Sequence, residues 1–320
     1  MQITVSLAGL RAIEALATHG SISAAAAALG YTPSAVSQQI IRLERDLRQE
    51  LVERQGRRAA LTVSGQILAE SARRVILELE TMNARLQAEM QTVTGLLTVA
   101  AFPSAARGIV PAAMSQLVHR WPEVELRLLE VASHHAVDLV AGGSADLAVA
   151  HDWLGVPMTL PDGMDLKHLG DDISDVLVNV NHPAALRNDV TLQEFVDDTW
   201  LYEPGSVAHD FLLHEFSRVD GAVRGHMIIE YATQIEMVGA GLGVALVPRM
   251  GRGVLPPTVR ALAVQSPPVR RIHGVWRRSS AGRPAIAAAL DELASAGGDP
   301  ASASAAPEVD DRIQLDLDLP

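Results

Sequence analysis

The chain has 320 residues, 48% hydrophobic and 20% charged, a size and balance suited to a soluble protein of two or three domains. Four Phe, four Trp and three Tyr leave alanine and short aliphatics to fill the core, which disfavours aromatic stacking platforms for single-stranded nucleic acid. The absence of Cys excludes disulfides, thiolate catalysis, iron–sulfur clusters and cysteine-based zinc sites, and no run reaches the roughly 18 apolar residues that a membrane helix needs.

The net charge of −12 conceals a split. Residues 1–60 hold seven Arg against five acidic residues, residues 61–95 come to −1, and the remainder carries −13. An N-terminal module able to approach phosphates is thus joined to an acidic body. The start, Met1 to Val5, lacks the basic region and apolar run of a signal peptide, so a cytoplasmic location is expected.

Leu7, Leu10, Ile13 and Leu16 set a helical period that Gly20 ends. Ser21 or Ser23 can cap an alanine-rich segment from Ala24 to Leu29, and Gly30 stops it. Thr32 as N-cap and Pro33 at the first helical position open a third helix with a buried stripe of Val36, Ile40, Leu43 and Leu47. Two helices joined by Gly30-Tyr31-Thr32 make a helix-turn-helix. On its other face Ser34, Ser37 and Gln38 are small enough to let the helix start enter a major groove. A small bundle with a merely solvated face is the plainer reading of such residues taken singly. The register from Ala25 to Glu44, holding small, capping and apolar positions in step, weighs against it.

With Leu51-Val52-Glu53-Arg54 and Leu61-Thr62-x-x-Gly65 downstream, this register resembles that of the LysR-type transcriptional regulators. The resemblance covers nearly the whole chain. Arg48-Gln49-Glu50 has no glycine where the family has one, Val52 stands where Phe is usual, and Ile41 where a basic residue is common. The resemblance implies base contacts from Ser34, Ser37 and Gln38 beside the capping Thr32. It implies phosphate contacts from Ser23, Arg54, Arg57 and Arg58, the last two at the tip of a β-wing.

Leu68, Ala72, Val75, Leu79, Met82 and Leu86 follow a 4-3-4-3-4 spacing, the pattern of a two-stranded coiled-coil seam. The resemblance identifies this segment as the family's linker helix, which pairs subunits. After Gly95, strand and helix patterns alternate. Strands are expected at Leu96–Ala101, Val124–Val131, Asp146–Ala150, Asp175–Val180, Met227–Glu230, Val244–Val247 and Arg271–Trp276. Helices are expected at about 105–119, near Val137–Val140, 191–196 and 207–217, up to Gly239, and from Pro284 to Leu293.

By this resemblance the expected fold is α/β with an N-terminal all-α winged helix-turn-helix (1–61), a long linker helix (62–94) and a two-lobed effector domain like periplasmic binding proteins. Subdomain I covers 95–171 and 268–296, subdomain II covers 172–267, and 297–320 is an acidic tail of net charge −5, expected to be disordered.

Ligands of open α/β sheets lie beyond the carboxyl ends of strands, at helix starts. That rule selects Phe102, Pro103, Ser104, His151, Tyr202, Ser206, Thr233, Gln234 and Pro248, positions that match the family's effector cleft. Amides beside Ser104 would favour a carboxylate or other anion, although Ser104 and Ser206 can equally well cap their own helices. The cluster Gly239-Ala240-Gly241-Leu242-Gly243 follows a helix and precedes a strand, the reverse of a dinucleotide loop. His134-His135 with Asp138 lacks further convergent metal ligands, so neither metal nor cofactor is expected. No Gly-x-Ser-x-Gly elbow or Walker loop occurs. The expected function is sequence-specific binding to an interrupted palindrome in double-stranded DNA, controlled by a small-molecule effector. By resemblance the protein forms a homodimer, then a homotetramer, and contacts RNA polymerase. The alternatives are an effector-independent architectural DNA-binding protein and a helix-turn-helix fused to an enzyme.

Overall fold

A computed structural model describes residues 5–55, 58–90, 92–153 and 157–297. Helices α1 (Leu7–His19), α2 (Ile22–Leu29) and α3 (Pro33–Leu47) start on side-chain caps: Ser6, Ser21 and Thr32 accept from the amides of Gly9, Ala24 and Ala35. Ser21, not Ser23, thus caps α2. Gly20 and Gly30 close α1 and α2 in the left-handed conformation. Arg48 closes α3 at φ 54°, a conformation that glycine adopts at less cost. Ala25 and Ala26, almost fully buried against Ala12, Ala15, Val36 and Ile40, let the helices approach closely.

The hairpin β1 (Val52–Gln55) and β2 (Arg58–Leu61) pairs antiparallel. Glu44 fastens it to α3 by accepting from the amides of Leu51 (2.9 Å) and Val52 (3.1 Å). A side chain at Gly65 would sit 2.1 Å from the Leu51 carbonyl oxygen, which gives the Leu61-Thr62-x-x-Gly65 pattern its physical reason.

Helix α4 (Val63–Met90) is 28 residues long, about 42 Å at 1.5 Å per residue. The expected seam is only partly free. Ala72 is buried and Leu68 half-buried against Leu10, Ile13 and Leu43, whereas Val75, Leu79, Met82 and Leu86 are exposed.

The body contains β3 (Gly95–Ala101), α5 (Pro103–Arg107), α6 (Ile109–Arg120), β4 (Val124–Glu130), α7 (Ser133–Ala141) and β5 (Leu147–Trp153). Then follow β6 (Met164–Asn179), β7 (Asp189–Val190), a 3-10 turn at Leu192–Phe195, β8 (Trp200–Tyr202), α8 (Val207–Ser217), β9 (Gly225–Met227), α9 (Tyr231–Gly239) and β10 (Val244–Pro248). Strands β11 (Val259–Val264) and β12 (Val269–Arg277), a 3-10 turn at Arg278–Ser280 and α10 (Pro284–Gly297) complete it. The strand order is β4-β3-β5-β12-β6-β10-β8-β9, with β11 also on β6 and β7 on β11.

Strand β6 corrects the domain boundary set at 171/172. It pairs with β12 up to Ile173 and with β10 from Ser174, so one strand serves both lobes without a break. The helix expected at 105–119 is two helices, broken at Gly108, where a Cβ would lie 2.6 Å from the Met250 side chain. The strand expected at Met227–Glu230 ends at Met227, and Glu230 instead caps α9. Lobe I buries Leu97, Val99, Leu147, Val149 and Ile272 beneath α6 and α10. Lobe II centres on Phe195, Trp200 and Phe216. The expected return of the last segment to lobe I is seen in Leu290 and Leu293. Residues 298–320, expected to be disordered, lie outside the described residues.

The linker docks on lobe I through Arg277. Its Nε donates to Glu80 (2.9 Å), and its Nη1 donates to the carbonyls of Val140 and Ala145. Ser279 donates to the same Glu80 carboxylate at 3.1 Å. Arg277→Met leaves three buried or half-buried acceptors without their donor and should cost about 3 kcal/mol. Urea denaturation measures it, and a loss under about 1 kcal/mol, the value of an exposed pair, would show that the contact carries no strain between linker and lobe.

Candidate functional site

Two surfaces bear on function. The first is the start of α3. Burial of Val36, Ile40 and Leu43 turns Ser34 and Gln38 outward, with Ser37 half-buried beside them. The Thr32 hydroxyl stays on the Ala35 amide, so its task is local. Ser23 is exposed on α2. Arg57 lies outside the described residues, as do the side chains of Arg54 and Arg58.

The second surface is the cleft between the lobes. Arg270, at the start of β12, is 1% exposed. Its Nε donates to Asp172 Oδ2 (2.7 Å), its Nη2 donates to Ser104 Oγ (2.8 Å), and its guanidinium lies 5.0 Å from the Phe102 ring centre. Asp172 Oδ1 accepts from the Met250 amide at 3.0 Å. His151 sets its ring edge-on to Phe102 at 4.7 Å. Burial first, and then the charge of Arg270, push its pKa down to about 3, so it is neutral at physiological pH. Burial alone would raise Asp152, but hydrogen bonds from Arg271, the Met158 amide and His273 hold it below the usual carboxylate range.

Within lobe II, Tyr202, Glu203, Ser206, Tyr231 and Gln234 surround a small cavity of about 10 Å³, near the minimum for one water. Ser206 caps α8 by accepting from the His209 amide, and its own hydroxyl donates to the Glu203 carbonyl. Burial pushes the Tyr231 phenol and the Glu203 carboxyl above their ordinary values. Thr233 is exposed and donates to Glu230, which caps its helix. Pro248 is buried opposite Ser174 in the β10–β6 ladder. Pro103 opens α5 at its first turn.

Contacts run directly between the lobes. Arg107 reaches Glu230 at 3.7 Å and donates to the Gly251 carbonyl at 3.2 Å. Trp153 stacks on Phe211 at 6.3 Å. Two larger cavities are present: one of about 580 Å³ at the Gly239–Gly243 turn, and one of about 590 Å³ at the junction of the lobes, lined by Trp153, Phe211 and the Gln265–Val269 segment. Of the expected cleft residues, Phe102, Ser104 and His151 meet around Arg270, while Tyr202, Ser206 and Gln234 meet around the small cavity. Arg270, Asp172 and Tyr231 were not among them. The signal for Arg270 was a pair of arginines inside the apolar strand Val269-Arg270-Arg271-Ile272. Among the described residues no group of three His, Cys, Asp or Glu could hold a metal ion.

The family model described as LysR substrate binding domain matches residues 90–298, and that described as bacterial regulatory helix-turn-helix protein, lysR family, matches residues 7–66. A probable hydrogen peroxide-inducible genes activator of Mycobacterium leprae is 28% identical over 91% of this chain and 94% of its own. The transcriptional activator IlvY of Salmonella typhimurium is 29% identical over 77% of this chain and 83% of its own. Among solved structures, a full-length OxyR variant from Pseudomonas aeruginosa gives a TM-score of 0.70 at 22% identity, covering 91% of this chain and 95% of that one. An OxyR mutant from Corynebacterium glutamicum gives 0.58 at 27% identity, covering 95% and 96%. The chain belongs to the LysR family: it is a DNA-binding transcriptional regulator with an effector-binding domain, and not an enzyme. Without a cysteine, it offers peroxide no thiol to oxidise.

The neutral His151 has a consequence for stability. The unfolded chain protonates this residue near 6.5, and the folded protein only near 3. Stability is therefore complete above 6.5 and falls as pH drops through that window, by at most about 1.4 kcal/mol per pH unit. His151→Gln should flatten this acid limb, a difference of about 2 kcal/mol by pH 5 in urea denaturation series. Equal slopes would show that the imidazole charges inside the fold.

Proposed function

We propose that this protein reads an interrupted palindrome as a dimer, each half-site met by the start of one α3, and that an effector entering between the lobes resets the spacing or angle of the two helices. The observation that carries this reading is one continuous arrangement: a capped helix presents Ser34 and Gln38 outward, and a 28-residue helix beside it shows an apolar stripe left exposed among the described residues. Pairing has a physical purpose, since two short reading helices on one site multiply an affinity that one alone leaves weak. In this reading Arg54, Arg57 and Arg58 meet phosphates, the protein works in the cytoplasm, two dimers associate, and the bound assembly contacts RNA polymerase. The effector acts only by favouring one lobe arrangement over the other.

Ser34→Ala with Ser37→Ala should lower affinity for the specific site by about tenfold or more while leaving non-specific DNA binding nearly unchanged, in titrations at fixed salt. Equal losses on both would remove base reading from α3. Leu79→Asp should yield monomers in sedimentation at concentrations where the parent is dimeric, because it sets a charge in the middle of the stripe. An intact assembly would dismiss the seam.

A further inference from the structure

The hydrogen-bonding groups left over in the cleft define what could fill it. Its positive charges are already matched. Arg270 is held by Asp172 and Ser104, Arg107 by Glu230 and the Gly251 carbonyl, and His151 carries no charge. Among the described residues, the buried side-chain atoms near the cleft without partners are His151 Nδ1, Ser174 Oγ and Gln234 Oε1, and of these Gln234 Oε1 can only accept. Gln234 is 2% exposed; its Nε2 donates to the Ile228 carbonyl at 2.8 Å, so its amide cannot turn over without setting oxygen against oxygen. Its Oε1 is buried and receives no hydrogen bond. Glu203 lines the same small cavity, and among the described residues no donor reaches its carboxylate. Burial raises Glu203, and the nearby His134 offsets this only in part.

We propose, resting on the reading of this cleft as the effector site, that the effector presents a protonated amine to the Glu203 carboxylate and Gln234 Oε1, beside the Tyr231 ring. An ammonium group donates three hydrogen bonds and supplies the charge that Glu203 lacks a partner for. The cavity is lined by lobe II residues alone and holds only about 10 Å³, so an amine enters it only if those side chains shift to widen it. An anion placed against Glu203 and Gln234 Oε1 would meet two uncompensated acceptors.

The test uses the full chain and two sets of probes at equal ionic strength: 1-aminobutane and 1,4-diaminobutane, against butyrate and succinate. Thermal denaturation should show a rise in melting temperature with the amines and none with the carboxylates. In calorimetric titration, Glu203→Gln, which keeps the side-chain shape, should weaken amine binding about tenfold or more. Gln234→Met should weaken it too, and if that variant does not fold, Glu203→Gln decides alone. No response to the amines, or one that Glu203→Gln leaves intact, overturns the inference. A carboxylate response abolished by Tyr231→Ala overturns the amine while leaving the cleft as the effector site. Responses indifferent to both Glu203→Gln and Tyr231→Ala overturn the two readings together.

Discussion

The molecule is organised around a charge it has to bury. Arg270 sits where the lobes meet, and removing a guanidinium from water costs several kcal/mol unless its hydrogen bonds and its charge are answered. The answers come from separate parts of the chain: Ser104 on α5, Asp172 on β6, the Phe102 ring after β3, and the Met250 amide behind Asp172. Each of these segments must therefore arrive at one point. That requirement fixes the contact between lobes, places Gly251 against the Ser104 carbonyl, and leaves His151 neutral in a site that already holds one cation.

What could be read in the sequence was what is decided locally. Thr32-Pro33, Gly20 and Gly30 mark helix ends through the conformations of single residues, and the structure puts helix ends there. Apolar runs such as Val244–Val247 announce buried strands because both faces are covered. The first half of β6 alternates Met164, Leu166 and polar residues beside an open face, so its pattern is weak and the strand was legible only from Asp175. In the linker helix the period was legible, and Val75, Leu79, Met82 and Leu86 are exposed along it; what left no local trace was the packing of α1, which buries Ala72 and half-buries Leu68 in the first turns. The cleft shows the same limit. Strand ends could be found by rule, whereas the meeting of Arg270 with Asp172 joins residues 98 positions apart and left no local trace.

The relatives show how far a shared scaffold extends. A chain similar in length and fold to proteins named for peroxide response carries no cysteine, so resemblance at the level of the body does not convey the signal that is sensed. The sensing chemistry must be sought in the few polar side chains that face the opening, and these are the groups on which alignment of whole chains is least informative.

Strand β12 holds Arg270 at one end and Arg277 at the other, about 23 Å apart along an extended backbone. It is hydrogen-bonded on one edge to β5 and on the other to β6, with a single irregularity between Ile272 and His273. No loop lies between the guanidinium buried at the lobe junction and the residue that grips Glu80 of the linker. The strand is thus a push-rod: lengthwise displacement at one end has little slack to absorb it before it reaches the shaft carrying the DNA-reading head, and in a paired assembly two such rods would act on the shafts together.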